Sequence, residues 1–162
     1  MGKFLNFKMT GAEATIAAYA RLGKLPQKTV SKAAGKGMTV VRRYVKTEAP
    51  ELTGTLKRSI MRNGERSRYA GKKIFDLTFN PAMNDLLQKP IKNPGEAGGK
   101  SRHAYYPASM EFGFLTRSKG GGLSYVPGYH FMSEGAVEAA PQAKSAMTDT
   151  LIAEIDKEWG KK

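Results

Sequence analysis

Between Lys24 and Glu48 the sequence KLPQKTVSKAAGKGMTVVRRYVKTE sorts its apolar and basic positions onto two faces when wound at about 100° per residue. Val30, Ala33, Ala34, Gly37, Val40, Val41, Tyr44 and Val45 share an arc of about 140°, and Lys24, Lys28, Lys32, Lys36, Arg42, Arg43 and Lys46 share another of about 120°. Pro26 suits an opening turn, where its missing N–H is not needed, and Ala49-Pro50 closes the pattern by pushing Ala49 out of the α region. The spacing predicts a long amphipathic helix. A second helical pattern runs from Ser133 to Trp159, where Ala143, Met147, Leu151, Ile155 and Trp159 form a packing seam and Asp149 and Asp156 lie on the far side. Pro141 kinks or restarts that helix.

The segments around these two helices carry weaker patterns. Met9 to Leu22 reads as a shorter helix, with Thr10 and Glu13 at capping-box spacing and Gly23 closing it. Met1 to Lys8 is a short strand or an arm; as an arm bearing Phe4 and Phe7 it would dock on another subunit. Thr53 is positioned to cap one helical turn that delivers Leu56 and Ile60 to the core. Lys73 to Phe79 alternates as a strand, with Phe75, Leu77 and Phe79 on one face, and its expected partner is the segment from Ile60 to Tyr69. Asn63-Gly64 offers a competing turn. Residues 81–102 and 115–129, rich in proline, glycine and polar side chains, read as loops or insertions, the first with one turn of helix. The fold class is therefore α+β: two long helices packed on a small antiparallel sheet, in one domain over residues 1–162.

Charge sharpens this picture. Residues 1–73 hold 17 Lys and Arg against 4 Asp and Glu, whereas residues 74–162 hold 10 of each, so the first half carries the whole formal excess of +13. A solvated helix face is the bland account of the basic arc; a polyanion or an acidic neighbour is the functional one. No apolar run approaches the roughly 20 residues of a membrane span, and the amino terminus lacks the apolar core of a signal peptide. With no cysteine and only His103 and His130, thiolate and His-rich metal sites are excluded.

No nucleophile and base pair, carboxylate pair or metal cluster marks an active site, so the expectation is a protein that is not an enzyme and holds no cofactor. Glu111, a lone carboxylate between Met110 and Phe112, reads as an interface salt bridge before it reads as an acid catalyst. Gly120-Gly121-Gly122 with flanking Arg117 and Lys119 has the composition of a phosphate cradle but no Walker pattern, so a flexible loop is the preferred reading.

Three segments, in order, resemble a known family. Ala49-Pro50, Thr53-Gly54, Leu56 and Ser59-Ile60 come first, then Tyr105-Tyr106 leading to Met110-Glu111-Phe112-Gly113, then Pro127, Phe131-Met132 and Ala136. Together they are similar to the small tail-component proteins of long-tailed bacteriophages, also called head–tail joining, tail-completion or tail-terminator proteins. The chain departs from that pattern at Phe114, Pro107, Gly135 and the insertion from Pro81 to Arg102. The resemblance implies a virion protein of the tail or neck, assembled in the host cytoplasm as a homo-oligomeric ring between connector and tail tube proteins, six copies being the usual count. DNA passes through such a ring without base readout, and no membrane is involved. On that basis Lys28, Lys32, Lys36, Arg42, Arg43 and Lys46 would line the channel or meet an acidic ring neighbour. Glu111 and Phe112 would buttress a subunit contact or the core, and the loop with Arg117, Lys119 and Gly121 would dock on the adjoining ring. The alternative is a free, basic, sequence-nonspecific nucleic-acid-binding protein.

Overall fold

The computed structural model describes residues 27–51, 53–66, 69, 71–91, 102–117 and 121–159. In chain order its elements are α1 (Gln27–Glu48), α2 (Thr55–Ser59), β1 (Ile60–Gly64), β2 (Phe75–Phe79), a 3-10 turn (Pro81–Met83), α3 (Asn84–Leu87), β3 (Gln88–Pro90), β4 (His103–Tyr105), α4 (Tyr106–Phe112), β5 (Phe114–Arg117), β6 (Leu123–Val126) and α5 (Phe131–Trp159). The fold is α+β, two long helices packed with small antiparallel sheets. The expected helix from Met9 to Leu22 and the segment Met1 to Lys8 lie outside the described residues.

The framework is the pairing of α1 with α5, which run antiparallel. Val45 lies against Gly135, Gly37 against Ala143 and Met147, the Tyr44 hydroxyl donates to Gln142, and Lys32 pairs with Glu154. Two glycines set the spacing. A Cβ on Gly135 would stand 2.9 Å from the Val45 Cα, and one on Gly37 would stand 3.2 Å from the Ala143 carbonyl oxygen and intrude on the Met147 side chain. Helical glycine costs about 1 kcal/mol relative to alanine, a loss offset here by the close contact it allows. Ala136, Ala139 and Ala143 on α5 are buried opposite the face of α1 that carries Val41 and Val45. The helix continues through Pro141 without restarting; proline has no N–H to offer the carbonyl four residues earlier, and both Pro141 and Val137 are exposed.

The buried arc of α1 is wider than its apolar positions alone suggest, taking in Thr29, Gly35 and Met38. Its second flank meets β1 and β2: a Cβ on Gly35 would touch the Arg62 guanidinium and the Phe75 ring. These strands pair antiparallel, Ile60 opposite Phe79 and Gly64 opposite Phe75, so Asn63-Gly64 belongs to the strand and does not turn the chain. Alternation then places Phe75, Leu77 and Phe79 on the face shared with Ile60. The core joins Val41, Val45, Leu56, Ile60, Leu77 and Leu87 to Phe131 and Met132 at the start of α5.

Four expectations are corrected. Thr53 does not cap α2; Gly54, at φ +68°, occupies that position, which suits a residue without Cβ. Residues 81–90 hold more than the expected turn of helix, which is α3 with Leu87 buried: Asn80 also caps a 3-10 turn through the Ala82 N–H at 3.1 Å, and β3 pairs with β4. Within 115–129, residues 115–117 and 123–126 are paired strands, Phe114 opposite Val126 and Arg117 opposite Leu123. Among the described residues the strands form three separate two-stranded ladders, where one small sheet was expected.

Candidate functional site

Among the cationic candidates on α1, Lys28, Lys32, Lys36 and Arg43 are exposed on its outer face. Lys28, Lys32 and Lys36 recur at four-residue intervals, about 6 Å apart along the axis. Lys32 is shared with Glu154 of α5. That carboxyl is held below its ordinary value, first by the hydrogen bond from Lys32, with Lys157 and Lys28 adding attraction and partial desolvation opposing. Arg43 lies 5.8 Å from the centre of the Tyr44 ring.

Arg42 and Lys46 are half-buried at the edge of this face. Arg42 Nε donates to the Ile60 carbonyl at 2.9 Å, so one edge of its guanidinium is committed to holding α1 against β1. Burial pushes the Lys46 ammonium below its ordinary value, and the Arg42 charge one turn away pushes the same way. A like-charge pair four residues apart on a helix opposes folding, and an anion placed against it would relieve that repulsion.

Two further cations extend the face, and the sequence pattern alone did not assign them. Arg62 on β1 donates through Nη1 to the Gly35 carbonyl at 2.7 Å and to Thr39 Oγ1 at 3.1 Å, with its guanidinium 5.7 Å from the Phe75 ring centre. Gln27 donates to the Lys72 carbonyl at 3.0 Å and accepts from the Gly71 N–H at 2.9 Å, which draws the exposed Lys72 to the first turn of α1. Arg62 was detectable in principle, because it follows core residue Ile60 by two in a strand and so faces the same helix. The Gln27 link had no signal, since it joins positions 44 and 45 residues apart.

No protein-family model, curated protein or solved structure matches this chain. Function must therefore be read from its side chains.

The second part of the candidate site is the run Glu111-Phe112-Gly113. Glu111 is buried, and its carboxylate caps α5: Oε2 accepts from the Met132 N–H at 2.8 Å, and Oε1 from the Ser133 N–H at 3.1 Å and the Ser133 hydroxyl at 2.9 Å. These N–H groups belong to the first turn of α5, where no intrahelical partner exists and the helix dipole favours a negative charge. The Glu111 carbonyl accepts from the His130 N–H at 3.1 Å, and the His130 carbonyl receives the first helical bond, from Glu134 at 2.8 Å. Gly113 sits at φ +83°, and a Cβ there would clash with the backbone of Val126 and Gly128. The Phe112 ring is exposed, while its carbonyl accepts from the Tyr125 hydroxyl at 2.5 Å.

The third part is the hairpin of β5 and β6. Arg117 and Gly121 belong to it, Gly121 at φ +85°, while Lys119 lies outside the described residues. Its large apolar side chains, Phe114, Leu115, Leu123 and Tyr125, are all exposed. Tyr105 and Tyr106, by contrast, pack on the core, Tyr105 edge-on to Phe79 at 6.1 Å. Burial pushes the Tyr105 phenol above its ordinary value. Among the described residues no group of His, Asp and Glu is arranged to hold a metal ion, and no helix is long and apolar enough to cross a membrane.

Proposed function

We propose that this chain is a structural subunit of a tailed-phage virion, assembling as an oligomeric ring, six-fold by resemblance, at the head–tail junction or tail end, through which DNA passes. The observation that carries this reading is the outer face of α1, where Lys28, Lys32, Lys36 and Arg43 stand exposed with Glu154 as the acidic partner of Lys32. Arg62 and Lys72 extend it, so the positive surface crosses from helix to strand and loop. Such a face binds phosphate as charge, not as sequence, which suits DNA that must slide. The role is non-catalytic, and the partners are further copies of the chain and the connector and tail tube proteins next to the ring.

A free nucleic-acid-binding protein is the second reading, because an exposed cationic helix meets duplex phosphates equally well. The two differ in assembly and in the strength of binding. A ring subunit forms a discrete oligomer and binds duplex DNA weakly. Its affinity falls with salt at a slope of about −0.9 for each phosphate engaged. The test is a salt titration of DNA binding alongside a mass measurement. Tight binding by a monomer or dimer favours the free binder, and loss of all salt dependence removes the cationic face from either reading.

A further inference from the structure

The hairpin of β5 and β6 is built to be covered. A two-stranded ladder is at best marginally stable alone in water, and among the described residues no third strand pairs with either edge of this one. Register places Leu115 and Tyr125 as a cross-strand pair, with Arg117 and Leu123 as the next pair on the same face. Leu115, Leu123 and Tyr125 are 51%, 56% and 58% exposed; the Tyr125 hydroxyl donates to the Phe112 carbonyl, and the rest of this apolar face is left uncovered by the described residues. Between Glu111 and Glu134 the sequence has no acidic residue, which makes the hairpin uniformly positive.

A matching surface lies on the first half of α5. Val137 is 72% exposed, more than any other large hydrophobic side chain of the described residues, and it is flanked by exposed Glu134 and Glu138. No basic residue occurs on α5 before Lys144. Glu134 and Glu138 are like charges four residues apart, an arrangement that opposes the helix unless a cation meets it. One surface is apolar with a positive rim, the other apolar with a negative rim.

We infer that the β5–β6 hairpin of one copy docks on the outer face of α5 in a second copy, setting Leu115, Leu123 and Tyr125 over Val137 and Arg117 beside Glu138. This names the partner within the ring proposed above and rests on that reading. The two surfaces are different patches of one chain, so the contact is head-to-tail and leaves a pair of copies with one free hairpin and one free helix face. Repeated, it closes into a ring when the rotation permits.

The chain contains no cysteine, so single-cysteine trapping is clean. Leu123→Cys and Val137→Cys are made separately; both positions are exposed, and circular dichroism confirms that each variant is folded. Mixed and mildly oxidised, the two are expected to give a disulfide-linked dimer at least tenfold more abundant than either variant gives alone. A chain carrying both changes is expected to give a ladder of linked species. Arg117→Glu is expected to raise the half-assembly concentration at least tenfold, with recovery when Glu138→Arg is added. Absence of the mixed crosslink while the unmodified chain is oligomeric by light scattering overturns the inference and leaves the ring to another contact. Absence of the crosslink together with a monomeric unmodified chain overturns both.

Discussion

The seam between α1 and α5 and the hairpin of β5 and β6 treat apolar residues in opposite ways. In the seam, small residues let two helices approach until Gly135 and Gly37 have no room for a methyl group, and Val41, Val45 and Ala143 are buried. In the hairpin, large side chains, among them Leu115 and Leu123, are more than half exposed. The first region completes itself within the chain. The second leaves large apolar side chains uncovered by the described residues, and under the proposed assembly the difference would separate what folds the subunit from what joins subunits together.

Substitutions can break this contrast from either side. Glu111→Ala strikes the hinge between the two regions, removing the cap on α5 and leaving the buried Met132 N–H unpaired. A loss of about 2–3 kcal/mol in chemical denaturation is expected, with Glu111→Gln retaining part of it. Gly135→Ala pushes a methyl group against the Val45 backbone and should cost about 1–3 kcal/mol despite the better helix propensity of alanine. On the other side of the contrast, Leu123→Asp should change subunit stability by less than about 0.5 kcal/mol while weakening assembly. Equal damage to stability by Leu123→Asp and Gly135→Ala would erase the distinction.

Smaller effects sharpen the account of the cationic face. Lys46→Gln removes a half-buried charge one turn from Arg42 and should stabilise the subunit by about 0.2–0.5 kcal/mol while weakening DNA binding. The depressed Lys46 value has a defined sign: in the folded chain the ammonium gives up its proton more readily, so stability rises as pH climbs through that value toward the ordinary lysine range. Glu154 behaves in the opposite direction. Its lowered carboxyl value contributes stability above the ordinary carboxylate range and loses it as pH falls through the folded value. Both surfaces are wet, so the larger readout is binding. Glu154→Gln releases Lys32 and should steepen the salt slope of DNA binding by about one phosphate equivalent.

The long helix was legible because its two faces differ in chemistry at every turn, and α5 because its seam repeats every fourth residue, with Ala143, Leu151 and Ile155 buried and Met147 half-buried; the Trp159 side chain lies outside the described residues. Both come from local periodicity. The hairpin was not legible, since FLTR and LSYV are short, neither alternates cleanly between apolar and polar, and the glycines between them read as a loop. The exposure that hides the hairpin from pattern analysis is the property on which the proposed docking contact rests. Glu111 shows a second limit. Its resemblance to a family motif flagged the residue, but its partners lie 21 and 22 residues away, and a cap delivered from that distance has no local signature. Arg42 shows a third: a place on the basic arc does not say that one edge of the guanidinium is committed to the Ile60 carbonyl.

The most direct measurement is the mass of the purified full chain by light scattering at low and high salt. The account predicts a discrete oligomer of ring size, persisting where apolar contacts dominate and loosening in part as salt screens the charged rims. A monomer at every salt and protein concentration would contradict it, leaving the cationic face of α1 to a free nucleic-acid binder.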